Sequence, residues 1–354
     1  MFPQVSINRA KLSENIRVIK GALDLVGVEV AAVTKAFGAH PDIANVFVEG
    51  GVEVLADSRL ENLAKLVSFR TKKMLLRLPA LSEVDSVVRF ADISLVSHLE
   101  TAQHLSESAG EQGQYHGLIL MMDLGDLREG IFCSSTFIET ALAIQKLPNL
   151  SLEGVGANFC CVGGLIPSHN EVQRLNQLVL NIEERSHISV RTISAGNSSS
   201  LHLICGATSA TPITQLRIGE AFLLGRETAY GKRIPGTYSD CFTLHAEIIE
   251  KQRKPSVPVG EIGTDGFGNK PSFVDNGEHW RAICAVGRQD VDLSQLTPVD
   301  NRISVVGGSS DHLILNIEAC SDDYGLGDIV DFSLSYSGIL GVMASPYVNK
   351  KIIQ

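Results

Sequence analysis

The stretch VEVAAVTK, residues 28–35, decides the fold. Its apolar residues follow one another without strict alternation, and the run is too short for a typical helix. Such a run predicts a strand that is buried on both faces. Seven further runs of this kind follow at regular intervals: Val52–Ala56, Lys73–Leu78, Ile93–Val96, Gly117–Met122, Leu152–Gly156, Val190–Ser194 and Gln215–Ile218.

The segments between these runs have the apolar spacing of amphipathic helices. One stripe consists of Leu60, Leu63, Leu66 and Val67, and another of Val172, Leu175, Leu178, Val179 and Ile182. Eight strand–helix units predict an α/β fold, a (β/α)8 TIM barrel over residues 9–230. An open doubly wound sheet is the alternative that this rhythm leaves open.

The amino-acid composition changes after Tyr230, where Gly and Pro become frequent. Short alternating runs then predict a C-terminal antiparallel β domain over residues 231–354. We expect residues 1–8, which include the strand-like Gln4–Ile7, to join it. The predicted strands of this domain are Cys241–Ile249, Trp280–Val286, Arg302–Val306, His312–Glu318 and Ile329–Leu334.

Composition excludes several classes of protein. The 354 residues are 44% hydrophobic and 20% charged, which excludes intrinsic disorder. No apolar stretch approaches the roughly 18 residues of a membrane span. The net charge of -10 argues against nucleic acid as a partner. Seven cysteines without a C-x-x-C pair, and no secretory signal at the N-terminus, predict reduced thiols in the cytoplasm.

Three features lie at the predicted carboxyl ends of strands, where barrels of this kind have their active sites. Lys35 ends the first run, and a desolvated lysine amine can form a Schiff base. The stretch SAGNSSS, residues 194–200, opens a helix and could bind phosphate. Arg217 lies on the last strand and needs an acceptor.

Each feature has a plainer explanation. Lys35 could extend to the rim of the barrel. Asn197 or Ser198 could simply cap a helix. Arg217 could pair with Glu220 or Asp123. Taken together, however, a lysine facing a phosphate site, with an arginine between them, predicts pyridoxal 5'-phosphate as the cofactor.

These motifs, in this order, resemble those of the fold-type III pyridoxal-phosphate enzymes, the alanine racemase-like group, over nearly the whole chain. The similarity is carried by VTKA at 33–36, DLGDLREG at 123–130, GNSS at 196–199 and RIG at 217–219. The closer resemblance is to ornithine racemases, through LADSRLENL at 55–63, GRQDVD at 287–292, SSDHLI at 309–314 and DFSLSYSGILG at 331–341.

The resemblance implies roles for individual residues. Lys35 would be the Schiff-base lysine and one of two bases. Arg217 would face the pyridine nitrogen and keep it unprotonated. Arg128 would lie near the substrate carboxylate. The remaining residues that would bind the cofactor, most of them at its phosphate, are Asn158, Asn197, Ser198, Gly219, Glu220 and Tyr336.

Two departures from the family pattern concern the site. Asn158 stands where alanine racemases carry a histidine that packs against the cofactor. The family tyrosine that serves as second base is missing from IGTDG, residues 262–266, and we predict that Asp265 replaces it. Cys284, Tyr324 and a water molecule are the alternatives. No His–Cys pair of the kind used by zinc-dependent relatives is recognised, so no metal is expected.

The resemblance therefore implies a racemase of a basic amino acid, ornithine or lysine. Asp290 and Asp292 in GRQDVD are candidates to bind the side-chain ammonium, although aspartates also cap turns. A head-to-tail homodimer with shared active sites is expected. Three rivals are an alanine-type or broad-specificity racemase, a basic amino-acid decarboxylase, and a non-catalytic pyridoxal-phosphate carrier.

Overall fold

The computed structural model describes residues 1–187, 189–204, 211–264, 266, 268, 270, 272 and 274–354. The described chain forms two compact units, Ala10–Ser239 and Met1–Arg9 together with Asp240–Gln354. The strands are β1 (Gln4–Asn8), β2 (Glu29–Val33), β3 (Val54–Asp57), β4 (Lys72–Leu75), β5 (Ile93–Val96), β6 (His116–Met122), β7 (Leu150–Ala157), β8 (Thr192–Asn197), β9 (Gln215–Ile218), β10 (Phe242–Pro255), β11 (Glu278–Cys284), β12 (Leu296–Pro298), β13 (Ser304–Gly308), β14 (Leu313–Asn316), β15 (Ile329–Leu334) and β16 (Asn349–Ile353). The helices are α1 (Arg9–Asp24), α2 (Pro41–Glu49), α3 (Leu60–Lys65), α4 (Val84–Phe90), α5 (Leu99–Glu111), α6 (Ser134–Ile144), α7 (His169–Ser186), α8 (Leu201–Ile204), α9 (Glu220–Leu224) and α10 (Tyr336–Ala344).

Strands β2 to β9 form a closed parallel barrel in chain order. The ring closes where β9 pairs with β2, with Gln215 opposite Glu29 and Ile218 opposite Ala32. Each of the eight predicted runs overlaps one of these strands, so the TIM-barrel prediction is confirmed. The open-sheet alternative is wrong, because an open sheet would leave β2 and β9 as separate edges.

Apolar side chains fill the barrel, as the unbroken apolar runs predicted. The interior cluster consists of Ala31, Val33, Val54, Ala56, Met74, Ile93, Leu95, Ile119 and Met121. Outside it, α7 buries the whole predicted stripe from Val172 to Ile182. The helix begins with a capping box, in which the Ser168 hydroxyl accepts from a backbone N–H and Glu171 accepts from the Ser168 N–H. In the described ranges, no helix is both long and apolar enough to cross a bilayer.

The second unit is built on a sheet with the order β12-β15-β10-β11-β14-β13. Strand β1 joins this sheet by antiparallel pairing with β10, and β16 pairs with β1 in parallel. The five strands predicted from alternation overlap β10, β11, β13, β14 and β15. The sequence reasoning missed β12, β16 and α10, which are short or lack a clear period.

Candidate active site

Lys35 lies directly after β2, at the start of a single helical turn, Lys35–Phe37. Its side chain is exposed rather than enclosed in the apolar surroundings that the sequence suggested. The residue before it, Thr34, is fully buried, and its hydroxyl donates to Asp57 at the end of β3 (2.6 Å). This bond joins the ends of two neighbouring strands behind the lysine.

The Asp57 carboxylate is completely buried, and burial raises its pKa above the ordinary value. Four donors oppose that shift: the Thr34 hydroxyl, the Asn62 amide (3.1 Å) and the backbone N–H groups of Arg59 (3.0 Å) and Ser58. A buried carboxyl group with several donors fixes the backbone around it. Asp57 therefore supports the turn that carries Lys35.

Arg217 is 4% exposed and points across the carboxyl end of the barrel. Nη1 donates to the Ser194 carbonyl (2.7 Å) and hydroxyl (2.5 Å). Nη2 donates to the Ala157 carbonyl (2.7 Å) and to Oδ1 of Asn158 (2.9 Å). These four bonds engage both terminal nitrogens, and the Nε–H is the donor that lies outside them.

The ion pair that was the alternative for Arg217 does not form. Glu220 instead pairs with Arg226 (2.7 Å). Asp123 accepts the backbone N–H groups of Gly125 (2.8 Å) and Leu127 (3.2 Å). Arg217 is therefore held by neutral acceptors, and burial lowers its pKa to about 10.

Asn158 links Arg217 to a pair of charged residues that follow β6. Its Nδ2 donates to Oε1 of Glu129 (2.7 Å), and the same carboxylate binds Arg128 through Nη2 (2.5 Å) and Nε. Because Arg217 only donates and Glu129 accepts, the two neighbours fix the orientation of the Asn158 amide. The structure thus brings together Arg128, Asn158 and Arg217, three of the predicted site residues.

The loop that presents Arg128 returns tightly to β6. Gly130 has φ +131°, and a Cβ there would lie 2.5 Å from the backbone nitrogen of Asp123. Only glycine tolerates this backbone and this approach. Ile131 then pairs with the end of β6, donating to the Met121 carbonyl (2.9 Å).

A second loop, residues 158–168 after β7, is bound to the first one by Asp126. The carboxylate of Asp126 is 1% exposed and accepts the backbone N–H groups of Cys161 (3.1 Å), Val162 (3.0 Å) and Leu165 (3.0 Å). Its carbonyl accepts from Gly163 (3.0 Å). We call these bonds the Asp126 clamp. They make the loops after β6 and β7 one structural unit.

The predicted phosphate loop follows β8. Asn197 caps it, because its Oδ1 accepts from the Ser199 N–H (2.8 Å) and its Nδ2 donates to the Phe159 carbonyl (2.9 Å). The Ser198 hydroxyl accepts from the backbone N–H of Ala221 (3.1 Å), one residue past Glu220. Gly219 lies against Val33, where a Cβ would come within 3.1 Å of the valine Cβ.

Ser199 carries a buried polar atom. Its hydroxyl oxygen has no hydrogen-bond partner among the residues that the structure describes. Burial raises the pKa of the neighbouring Cys160 thiol, and the nearby Ser199 hydroxyl opposes that shift. An unsatisfied buried hydroxyl costs stability unless a ligand or water completes it.

The remaining predicted residues lie in the β unit. Tyr336 begins α10. Asp290 is 5% exposed and accepts from the Ser345 hydroxyl (2.7 Å) and the Gly287 N–H (3.2 Å). Asp292 is exposed and caps a helical turn by accepting from the Ser294 N–H (3.0 Å). Asp265 lies outside the described residues.

The two alternatives for the second base have unfavourable surroundings. Cys284 is completely buried, and burial raises the pKa of its thiol to about 12. Burial and then the negative charge of Asp300 raise the pKa of Tyr324, whose hydroxyl donates to Asp300 (3.3 Å). Within the described ranges, no group of three or more His, Cys, Asp or Glu side chains could hold a metal ion.

Comparison with known proteins places this geometry in a family. Residues 7–226 match the model of the alanine racemase N-terminal domain. The chain belongs to the alanine racemase family. It is 42% identical to an ornithine racemase of Acetoanaerobium sticklandii over 100% of both chains, and 35% identical to a lysine racemase of Thermotoga maritima over 99% of this chain and 98% of that one.

Solved structures of this family share the fold. An alanine racemase of Clostridium difficile superposes with a TM-score of 0.77 at 17% identity, covering 100% of this chain and 96% of that chain. An alanine racemase of Streptomyces lavendulae has a TM-score of 0.75 at 15% identity, with coverages of 100% and 98%. This likeness extends over both the barrel and the β unit of the alanine racemase fold.

Sequence reasoning missed two residues of the site. The motif at 123–130 contains Glu129 and the stretch at 194–200 contains Ser194, but neither pattern indicates that these residues bind an arginine. The Ser194 hydroxyl donates to Gln215 (2.9 Å), so its oxygen lone pairs are left for Arg217. The signal for Glu129 was an acidic residue next to the motif arginine, whereas the stretch at 194–200 indicates a phosphate site and not an acceptor for Arg217.

Proposed function

We propose that the protein is a pyridoxal-phosphate-dependent racemase that interconverts the L and D forms of a basic amino acid, ornithine or lysine. The observation that carries the proposal is the full-length similarity to an ornithine racemase and a lysine racemase. It is supported by the hydrogen bonds that connect Arg128, through Glu129 and Asn158, to Arg217 at the carboxyl end of the barrel.

The donors at this end of the barrel fit the cofactor. The Ser199 hydroxyl is buried without a partner, and the Ser198 hydroxyl keeps its own proton after accepting from Ala221. Both could donate to a phosphate group, together with the backbone N–H groups of Gly219 and Glu220. The Nε–H of Arg217 could donate to the ring nitrogen, and the Lys35 amine could hold the aldehyde carbon. When bound, the cofactor would take up the electron pair released as the Cα proton leaves.

The chain's own residues would then bind and move protons. Lys35 would transfer the Cα proton on one face. Arg217 would hold the ring nitrogen without protonating it, because a guanidinium donates but does not accept. Arg128 would bind the substrate carboxylate. Its fork with Glu129 uses two of the roughly five N–H groups of a guanidinium, and the others remain outside that fork.

The second face needs its own base, and we propose Asp265 in that role. Burial would have to raise the pKa of this carboxyl for it to accept a carbon-bound proton. The raised thiol pKa of Cys284 and the hydrogen bond from Tyr324 to Asp300 make these two residues weaker candidates.

We propose Asp292 rather than Asp290 as the residue that binds the substrate ammonium. The Asp292 carboxylate is exposed, and hydrogen bonds from Ser294 lower its pKa, so it carries its charge at neutral pH. Asp290 is buried and already binds Ser345 and Gly287. An accessible charge is required for a salt bridge with a ligand.

A head-to-tail homodimer completes the proposal. Large apolar side chains are exposed on the loops after β6 and β7: Leu127 (69%), Phe132 (61%) and Val162 (72%). Apolar groups that cluster on a surface favour contact with another chain. The partner's β unit would cover them and share the active site. We also propose, from the cysteine pattern, that the protein is located in the cytoplasm.

The test is to incubate the purified protein, supplied with pyridoxal 5'-phosphate, with L-ornithine, L-lysine and L-alanine. Chiral chromatography should detect D-ornithine or D-lysine, with less product from alanine. A diamine and carbon dioxide would instead identify a decarboxylase, and an unchanged substrate panel a carrier. Alanine as the best substrate would favour the alanine-type racemase.

The cofactor lysine can be identified directly. Borohydride reduction followed by peptide mapping should label Lys35, and Lys35→Ala should lose the label and nearly all racemisation. Lys146→Ala is the control, because this lysine is exposed and lies between α6 and the start of β7, at the end of the strands opposite Lys35. A label on any lysine other than Lys35 would refute the assignment.

A further inference from the structure

A continuous line of hydrogen bonds joins the two arginines of the candidate site. It runs from Arg128 to the Glu129 carboxylate, then to the Asn158 amide, and then to Arg217. From Arg217 it continues through the Ser194 hydroxyl to Gln215 and on to Glu29 inside the barrel (2.9 Å). Glu129 is the carboxylate between the two arginines, and neither the motifs nor the proposed function gives it a role.

The contacts of Glu129 differ from those of an ordinary surface ion pair. Its side chain is 16% exposed, against 36% for Arg128. Both carboxylate oxygens contact the guanidinium, and one of them also accepts from Asn158 (2.7 Å). Bidentate pairing restrains the plane of an arginine as well as its position.

Glu129 also acts on Arg217 without touching it. Burial is the main influence on Arg217 and lowers its pKa; the negative charge of Glu129 raises that pKa, and the positive charge of Arg128 lowers it. Without the carboxylate, two like charges would face each other across Asn158. The Asn158 amide would also lose the acceptor that fixes its orientation.

We propose that Glu129 is a positioning residue: it holds Arg128 for the substrate carboxylate and, through Asn158, holds Arg217 toward the cofactor ring. This inference rests on the proposed function. Glu129 would touch neither substrate nor cofactor. Its effect is to give both arginines one defined arrangement before either ligand binds, which lowers the ordering cost of binding.

The experiment compares Glu129→Gln with Glu83→Gln. The control removes a carboxylate that also pairs with an arginine, Arg77 (2.9 Å), but is not a member of the line of bonds described above. We expect Glu129→Gln to raise KM for the amino acid about tenfold or more while kcat changes less. Glu83→Gln should leave both unchanged. A KM at or below that of the wild type would overturn the proposal, because it would mean that Glu129 competes with the substrate for Arg128.

A second readout does not depend on turnover. Cofactor-free protein is titrated with pyridoxal 5'-phosphate and followed by absorbance. Glu129→Gln and Asn158→Ala should each weaken binding severalfold, and the double variant should weaken it by less than the product of the two effects, because both changes break one line. Independent, multiplicative effects would overturn the link through Asn158.

Charge rescue separates positioning from packing. Glu129→Asp keeps the carboxylate and should recover part of the KM loss, whereas a packing role would make the shorter Asp worse than Gln. If Glu129→Gln does not fold, Glu129→Asp and Asn158→Ala still carry the test. Failure of the proposed function is seen separately, as a wild-type protein that racemises nothing; the titration then still decides the role of Glu129.

Discussion

Arg217 depends on its geometry as much as on its charge. Four acceptors surround the two terminal nitrogens, and a lysine has only three donors from a single nitrogen. We expect Arg217→Lys to leave at least one of these four buried acceptors without its donor and to lower the free energy of unfolding by about 1–3 kcal/mol. Urea unfolding measures this loss.

The control for that change is Arg226→Lys, at the half-exposed pair with Glu220. An exposed pair is worth at most about 1 kcal/mol. Equal losses at the two positions would show that the acceptor set around Arg217 contributes nothing specific. Arg217→Glu, which would also change the charge at the ring nitrogen, is a poorer test because it would face four acceptors with a carboxylate.

Asp292 allows its charge to be removed without loss of its cap. Asn is as good an N-cap as Asp, so Asp292→Asn should preserve the turn at Ser294. If Asp292 binds the ammonium, the loss of a charge-assisted pair costs about 2 kcal/mol or more, roughly thirtyfold in kcat/KM for ornithine. Activity on alanine is the internal control. Equal losses on ornithine and alanine would contradict the assignment.

At the scale of elements, the loop after β6 sets the position of Arg128. Gly130→Ala adds a Cβ 2.5 Å from the Asp123 nitrogen at φ +131°. We expect it to raise KM severalfold, because Arg128 moves, and to lower stability by roughly 1–3 kcal/mol.

Gly27→Ala is the matched control for that loop. Gly27 also has positive φ, +71°, but a Cβ there would meet nothing within 4 Å. Gly27→Ala should therefore lower the free energy of unfolding through backbone strain alone. Urea unfolding should detect this loss, and KM should not change. A Gly130 variant with an unchanged KM would show that Arg128 does not depend on this turn.

The elements that could be predicted are those whose burial shows in a single run. Strand β6 is buried at every residue, so HGLILMM is recognisable by itself. Strand β16 alternates half-buried Lys350 with exposed Lys351, and only its pairing with β1 makes it a strand. Helix α10 contains two glycines and has no charged residue, so it lacks the amphipathic period of a surface helix.

In the candidate site, too, single residues could be predicted from local motifs, whereas the contacts between them could not. The motifs predicted Arg128 and Arg217 as separate residues, but the bonds between them pass through Asn158 and Glu129, which lie 29 residues apart in the chain. Such contacts arise from barrel closure, and no local pattern encodes them. For Lys35, the sequence predicts the position after a buried strand. It does not predict the exposure of the side chain, because that depends on the residues that surround the end of β2.

At the scale of the whole molecule, His116 makes folding sensitive to acid. It is 1% exposed at the start of β6, bonded to the Ser94 hydroxyl (2.8 Å), and burial lowers its pKa from 6.5 to about 4. The unfolded chain takes up a proton below pH 6.5, whereas the folded chain does not until about pH 4. Stability is therefore full above pH 6.5 and falls as the pH drops toward 4.

We expect this group to cost about 2 kcal/mol of stability between pH 7 and pH 5. His116→Gln can keep a bond to Ser94 and should remove this part of the pH dependence in urea unfolding. His104→Gln is the control, since His104 is 46% exposed and lies 3.6 Å from Glu107. An unchanged pH slope in the His116 variant would refute the assignment.

The Asp126 clamp has a consequence for loop exchange in engineered variants and for sequence variation among natural relatives. Because one carboxylate organises the backbone of residues 161–165 from a loop that belongs to another strand, neither loop is a portable module. A chimera could take the loop after β7 from a relative without the aspartate that anchors it. Such a chimera would have the sequence of that loop but not its backbone conformation. Experiments that exchange substrate specificity among such enzymes should therefore exchange both loops together. Among natural relatives, substitutions in the loop after β6 should covary with substitutions in the loop after β7.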